Sequence, residues 1–352
     1  MAKWEIKNIA IKGIAACVPN NCISTYDLDI FTKEEADIFI KTVGIESRYI
    51  APENVCASDL CAASAEKLLS ELNWNRDEVG ILAFESVTGD YKTPPTSCIL
   101  QSRLGLPNNC FTLDIPMGCC GFIYGMTVVG NMMCSGSIKR ALLLVGDTAG
   151  RMGSALDKSR VPLFGDCGTA IALEYDENAA PMLSQFYTDG GGYKALMTPH
   201  GGYRYPATPE SFISKDFGNG IRRASVHALI DGMSVFSFAI TRAPQSINQF
   251  LTDFQIDKDR DVDYFLIHQA NKMINDRVIK KIQVDPSKIT STLKNFGNTG
   301  GASIPLTIVA NLRKEFQENR LSSIMSSFGL GLTWGVMNVR TDKIVIPELI
   351  KL

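Results

Sequence analysis

The stretch that most constrains this chain is residues 111–133. An apolar, β-branched approach over 111–115 stops at small residues, Cys119 follows, and an apolar run over 122–133 reads as a buried helix. The order is strand, sharp turn, helix, with a cysteine at the helix N-terminus. Unpaired amides and the helix dipole favour a thiolate there, so a cysteine in this position can titrate well below its free value. A cysteine that only fills a core satisfies the same pattern. Cys119 and Cys120 point about 100° apart at a helix start, so only one of them can face a substrate.

The remaining chain supplies the scaffold. At 352 residues it has room for two ordinary domains or one duplicated α/β unit. A net charge of -2 gives no electrostatic reason for a nucleic-acid or membrane partner. No apolar run approaches a membrane span, and residues 1–5 lack a signal-peptide core, so the sequence predicts a cytoplasmic protein. All ten cysteines lie between Cys17 and Cys167 without a Cys-x-x-Cys pair, which argues against a zinc site or a disulfide scaffold. His200, His227 and His268 are too scattered for a metal motif.

Taken in order, residues 6–18 read as an opening strand, and Ser58-Asp59 as the cap of a helix with Leu68 and Leu72 inward. Strands follow over 80–87, 141–145 and 169–175, and helices over 96–104 and 122–133. Residues 189–219 are irregular. A helix kinked at Pro244 is expected over 224–251, then a strand over 262–267 and helices over 271–282 and 302–316. Strands over 324–327 and 332–339 close the chain. The order repeats: Cys119 and Asn298 are 179 positions apart, and the Gly146 and Gly329 turns 183. Strands alternating with helices imply mostly parallel sheets covered on both faces. The halves divide as 1–176, carrying Cys119, and 177–352, carrying His268 and Asn298.

The second half holds the other reactive side chains. The apolar run 262–267 ends at His268-Gln269-Ala270-Asn271, and strand C-termini are where α/β folds place ligand-binding groups. Thirty residues later Asn298 stands in a glycine-rich turn that continues as Thr299-Gly300-Gly301-Ala302-Ser303-Ile304-Pro305. A core histidine and a generic turn into a helix are the plainer readings of these two stretches.

Together these blocks resemble the β-ketoacyl-ACP synthase III branch of the thiolase superfamily. Asp114, Cys119, Gly121 and Phe122 fit its nucleophile turn. His-Gln-Ala-Asn, the gap to Asn298, the turn after it, Phe164-Gly165-Asp166 and Phe328-Gly329-Leu330-Gly331 fit the rest. The resemblance implies a duplicated five-layered αβαβα fold and a homodimer. It also implies a decarboxylating condensation: an acyl group held on Cys119 is joined to a malonyl-ACP. His268 and Asn298 would stabilise the enolate, and the backbone amides of Cys119 and Leu330 the tetrahedral oxyanion. Relatives carry Gly at the Leu330 position. Phe328 would screen the thiol from the enolate donors, and Cys120 would be packing.

No cofactor is implied beyond phosphopantetheine thioesters, acyl-ACP or acyl-CoA, as substrates. Arg277, Lys280 and Lys281 lie on one side of the 271–282 helix, where the family docks its acidic carrier protein. A solvated basic face is the plainer reading. The residues that sandwich the adenine of CoA in typical members are missing: Ile38 and Thr42 stand at their positions, and Arg160 is two residues nearer Phe164 than the family's arginine. An acyltransferase of the same branch, delivering the acyl group to an alcohol or amine, is the alternative, although such relatives often alter the Asn. Papain-like amidases use Cys, His and Asn on another scaffold, and thiolases need a second cysteine that is absent after Cys167.

Overall fold

The computed structural model describes residues 2–352. Two sheets and three helical layers alternate. The six-stranded sheet runs Ile350–Lys351, Ile9–Val18, Cys167–Tyr175, Arg140–Asp147, Val79–Glu85, Phe111–Ile115. The five-stranded sheet runs Ala2–Ile6, Met182–Thr188, Thr333–Asp342, Arg320–Gly329, Tyr264–Ile267. In the larger sheet parallel pairs at both edges flank antiparallel pairs in the middle, and in the smaller only Tyr264–Ile267 pairs parallel, so the sheets are mixed rather than mostly parallel as expected.

Between the sheets lie Gly121–Met133 and Ser303–Asn311, helices apolar on nearly every side. Such helices must be covered all round. Phe122, Ile123, Met126, Ile304, Leu306 and Ile308 are buried among side chains of both sheets. Each such side chain contributes roughly 1.5–3 kcal/mol of burial, so this layer fixes where the two turns that precede its helices meet. The helix Ala57–Leu72 covers the outer face of the larger sheet, and Gly232–Asp253 with Lys272–Ile282 that of the smaller. The five-layered fold implied by the resemblance is the fold observed.

Several elements differ from the sequence expectation. The opening strand is two strands, Ala2–Ile6 and Ile9–Val18, one in each sheet. The break comes at Asn8, whose φ of 63° is a left-handed conformation that Asn tolerates. The first long helix is capped at Cys56. Ser58 and Asp59 lie inside it, and the Asp59 carboxylate accepts the Cys56 N–H at 2.6 Å. The helix around Pro244 begins only at Gly232, where Asp231 accepts the Ser234 N–H, and continues through the proline. The run over 302–316 divides at Leu312 into Ser303–Asn311 and Arg313–Glu318. The strand Met182–Thr188 was not foreseen, because Ser184 and Gln185 interrupt its apolar pattern. Both are buried: Ser184 meets Thr127 at 3.3 Å, and Gln185 donates to Asp253 at 3.0 Å. No helix of the described residues is long and apolar enough to cross a membrane.

Candidate active site

The strand Phe111–Ile115 delivers the chain to Pro116, and a short turn, Gly118–Cys120, leads into Gly121–Met133. Gly118 makes the turn possible. Its φ is +56°, and it packs against Val87 and Leu330. Asp114, the first residue of the motif, is engaged elsewhere. Its carboxylate accepts the Thr96 and Ser97 amides at 2.7 and 2.8 Å and so holds the start of the helix Thr96–Arg103.

Cys119 is half-buried where the turn meets the strand end Phe328-Gly329. A Cβ on Gly329 would stand 2.6 Å from the Cys119 Cβ and 2.7 Å from its Sγ, so only hydrogen fits between them. The Leu330 amide addresses the thiol from the same strand end. Leu330 itself has no positive φ, and the unusual backbone falls on Gly331, at +133°. A leucine is therefore accommodated at this position without backbone strain. The expected low thiol pKa is not what the site produces. Burial pushes the Cys119 thiol up to about 11, and the Leu330 and Cys119 amides offset only part of that rise. Cys119 is therefore a neutral thiol at rest. Cys120 is fully buried and its Sγ donates to the Thr333 carbonyl at 3.3 Å, consistent with packing.

His268 follows the strand Tyr264–Ile267, and its amide donates to Ser326 at 2.8 Å. Its ring meets Phe328 edge-on, with centroids 5.6 Å apart and planes at 82°. Thus adjacent residues of one strand touch two of the expected site residues: Phe328 touches His268 and Gly329 touches Cys119. The Nδ1 of His268 lies 2.8 Å from the Ser303 hydroxyl. Burial lowers the His268 pKa to about 4, so the imidazole is neutral near neutral pH.

Asn298 is positioned by its main chain. Its N–H donates to Leu163 at 2.9 Å, and its carbonyl accepts the Gly165 N–H at 3.1 Å. The Phe164-Gly165 motif therefore acts by clamping this turn. The Oδ1 of Asn298 accepts the Gly300 N–H at 2.9 Å, and its Nδ2 donates one N–H to the Ala270 carbonyl at 3.4 Å, which leaves the second N–H of the amide. The turn after Asn298 packs on the cysteine turn: a Cβ on Gly301 would stand 2.8 Å from the Gly118 carbonyl oxygen. Cys119, His268 and Asn298, 179 residues apart at the extremes, thus form one cluster.

The remaining expected residues lie farther out. Arg277, Lys280 and Lys281 are exposed on the helix Lys272–Ile282. Lys281 donates to the Ile240 carbonyl at 2.7 Å, whereas Arg277 and Lys280 make no ion pair among the described residues. Ile38 is 63% exposed and the Thr42 hydroxyl is turned back onto the Ile38 carbonyl at 2.7 Å, so that face of the helix Lys33–Val43 offers no aromatic or cationic plate. Arg160 is buried, with its guanidinium 4.3 Å over the Phe164 ring. Lys158, two residues earlier, is tied to Glu35 at 2.8 Å.

Two functional neighbours were missed by sequence reasoning. Ser303, which reads in the sequence as part of a turn, holds the His268 ring. Glu85 closes a buried apolar strand with a carboxyl beneath the cysteine turn. An acid ending the run Ile81-Leu82-Ala83-Phe84 was the signal for it.

A family model described as 3-oxoacyl-[acyl-carrier-protein] synthase III matches residues 113–190, and one described as its C terminal matches 256–341. The β-ketoacyl-[acyl-carrier-protein] synthase III of Enterococcus faecalis is 30% identical across 94% of this chain and 98% of its own length. The chain belongs to the β-ketoacyl-ACP synthase III family. The Clostridium perfringens synthase III is likewise 30% identical, over 95% of this chain and all of its own. The crystal structure of a 3-oxoacyl-(acyl-carrier protein) synthase from Burkholderia xenovorans superposes with a TM-score of 0.93 at 31% identity, covering 100% of this chain and 99% of that one. The relatives of this family thus match nearly the whole chain.

Proposed function

We propose that the chain is a decarboxylating condensing enzyme of fatty-acid synthesis that joins an acyl group on Cys119 to malonyl-ACP, giving a 3-oxoacyl-ACP. The supporting observation is the strand end Phe328-Gly329, which touches the His268 ring with one residue and the Cys119 thiol with the next.

In the first half-reaction the Cys119 sulfur attacks the acyl thioester carbonyl. The donor's C–S bond breaks, and the thiol proton leaves with the departing thiolate. The amides of Cys119 and Leu330 stabilise the oxyanion. In the second, the malonyl C–C bond to its carboxylate breaks and CO₂ leaves. The electron pair passes into a thioester enolate whose oxygen accepts from the His268 ring N–H and Asn298 Nδ2. A neutral imidazole, as burial dictates, is the right donor, since it stabilises the anion without giving up its proton. The enolate carbon attacks the Cys119 thioester, its C–S bond breaks, and the freed thiolate takes up a proton. Phe328 separates the two half-sites.

The half up to residue 176 supplies the nucleophile, and residues 177–352 supply the enolate donors. Arg277, Lys280 and Lys281 form the face that steers an acidic acyl carrier protein. Two copies associate through the edge strand Phe111–Ile115, whose outer ladder is unpaired and whose Phe111 is 50% exposed. The missing adenine plates favour a specialised pathway with a carrier-borne primer. The deciding experiment is incubation of acylated enzyme with malonyl-ACP. Stoichiometric CO₂ and 3-oxoacyl-ACP support the reading, and acyl transfer to an alcohol or amine without CO₂ overturns it.

A further inference from the structure

Glu85 ends the strand Val79–Glu85 inside the six-stranded sheet, level with Ile115 on one side and Val145 on the other. It is fully buried. Its carboxyl lies against two glycines. A Cβ on Gly121 would stand 1.8 Å from the Glu85 Cδ, and a Cβ on Gly301 would stand 2.5 Å from its Oε2. Gly121 opens the helix behind Cys119, and Gly301 lies three residues after Asn298. The carboxyl thus fills the slot where the nucleophile turn meets the enolate-donor turn.

Neither carboxyl oxygen closes a hydrogen bond of good geometry, and what faces it is the Met117 and Gly118 amides of the cysteine turn. The neighbouring acid, Asp147, is instead held by Ser86 at 3.0 Å, the Val87 N–H at 2.8 Å and Thr88 at 3.2 Å. The ionisable groups around Glu85 are Asp147 from the adjacent strand, Cys119 and Cys120 from the turn, and Cys61 from the outer helix. None of them is a cation. Burial first, and Asp147 second, push the Glu85 carboxyl well above the usual range, and the Gly118 and Met117 amides offset only part of that rise, which favours the neutral acid.

We propose that Glu85 is a positioning residue, a flat wedge between Gly121 and Gly301 that holds the Cys119 turn and the Asn298 turn in register. This rests on the condensing reading above. A carboxyl is planar and slides between two glycine Cα atoms, whereas a branched aliphatic end is too thick and an alanine leaves a void. An amide has the same shape as a neutral acid, so Glu85→Gln preserves the wedge and removes its ability to ionise.

The test compares wild type, Glu85→Gln, Glu85→Ala and Glu85→Leu in two separate assays. One is Cys119 acylation followed by intact mass; the other is CO₂ release from malonyl-ACP, each corrected for folded protein. Glu85→Gln is expected within about threefold of wild type, whereas the Ala and Leu variants lose about tenfold or more in kcat with little change in KM. Wild-type CO₂ release falls on the alkaline side as Glu85 ionises, and that fall is absent in Glu85→Gln. Ala and Leu variants with full kcat per folded molecule would overturn the proposal. So would an alkaline fall that Glu85→Gln retains, an outcome that is measurable even if the other variants do not fold. Wild type that acylates Cys119 without releasing CO₂ would sink the condensing reading, and the acylation assay would still judge Glu85.

Discussion

Gly329 lies so close to Cys119 that a single added methyl on it would sit 2.7 Å from the reactive sulfur. The strand Arg320–Gly329 and the cysteine turn come from opposite halves of the chain, and this contact is where they close. Gly329→Ala must push the thiol or the Leu330 amide out of place. Overpacking of this kind costs about 1–3 kcal/mol, so acylation should slow about tenfold or more. Intact-mass kinetics against one acyl thioester check this, and an unchanged rate would mean the contact is not what aligns the thiol.

The two half-reactions should separate by mutation. Cys119→Ser should abolish acylation, because an alcohol is far less ionised than a thiol. His268→Ala or Asn298→Ala should leave acylation intact and lower CO₂ release by about 10²–10³-fold, the usual cost of one oxyanion donor. Cys120→Ala should leave acylation in place. If Cys120→Ala blocked it and Cys119→Ala did not, the nucleophile would be misassigned.

The pH dependence follows from the buried imidazole. His268 titrates at about 4 in the folded protein rather than at its ordinary value of 6.5. As pH falls below 6.5 the unfolded chain gains a proton that the folded chain refuses, so this group removes stability progressively down to about 4. On activity the effect is the reverse of a usual histidine. CO₂ release should show no inflection near 6.5 and should fall only as pH approaches 4, where the neutral donor is lost. A rate profile with a histidine inflection near neutrality would contradict the neutral-donor mechanism.

The primer should arrive on a carrier protein. Without a stacking pair, CoA loses about 1–3 kcal/mol of base binding, or about one to two powers of ten in affinity. Ile38 and Thr42 cannot supply that pair, and Arg160 is buried against Phe164. The measurement is kcat/KM for Cys119 acylation by one acyl group on CoA and on a carrier protein. A clear preference for CoA would refute this while leaving the condensing chemistry standing.

The sequence by itself determined the alternation of strands and helices and the duplicated order, and it pointed to Cys119, His268 and Asn298 as the site. These are properties of local period, turn chemistry and motif spacing, which neighbours along the chain encode. It did not determine boundaries decided by long-range partners: the split at Asn8 that sends two strands into different sheets, the late start of the helix at Gly232, or the polar strand Met182–Thr188 between two others. It also misjudged the thiol. A helix N-terminus favours a thiolate, but desolvation depends on what packs around the sulfur, and here burial outweighs the amides. Glu85 is the plainest case. Its residue type was visible in the sequence, but the slot between Gly121 and Gly301 exists only once both turns, 180 residues apart, are brought together.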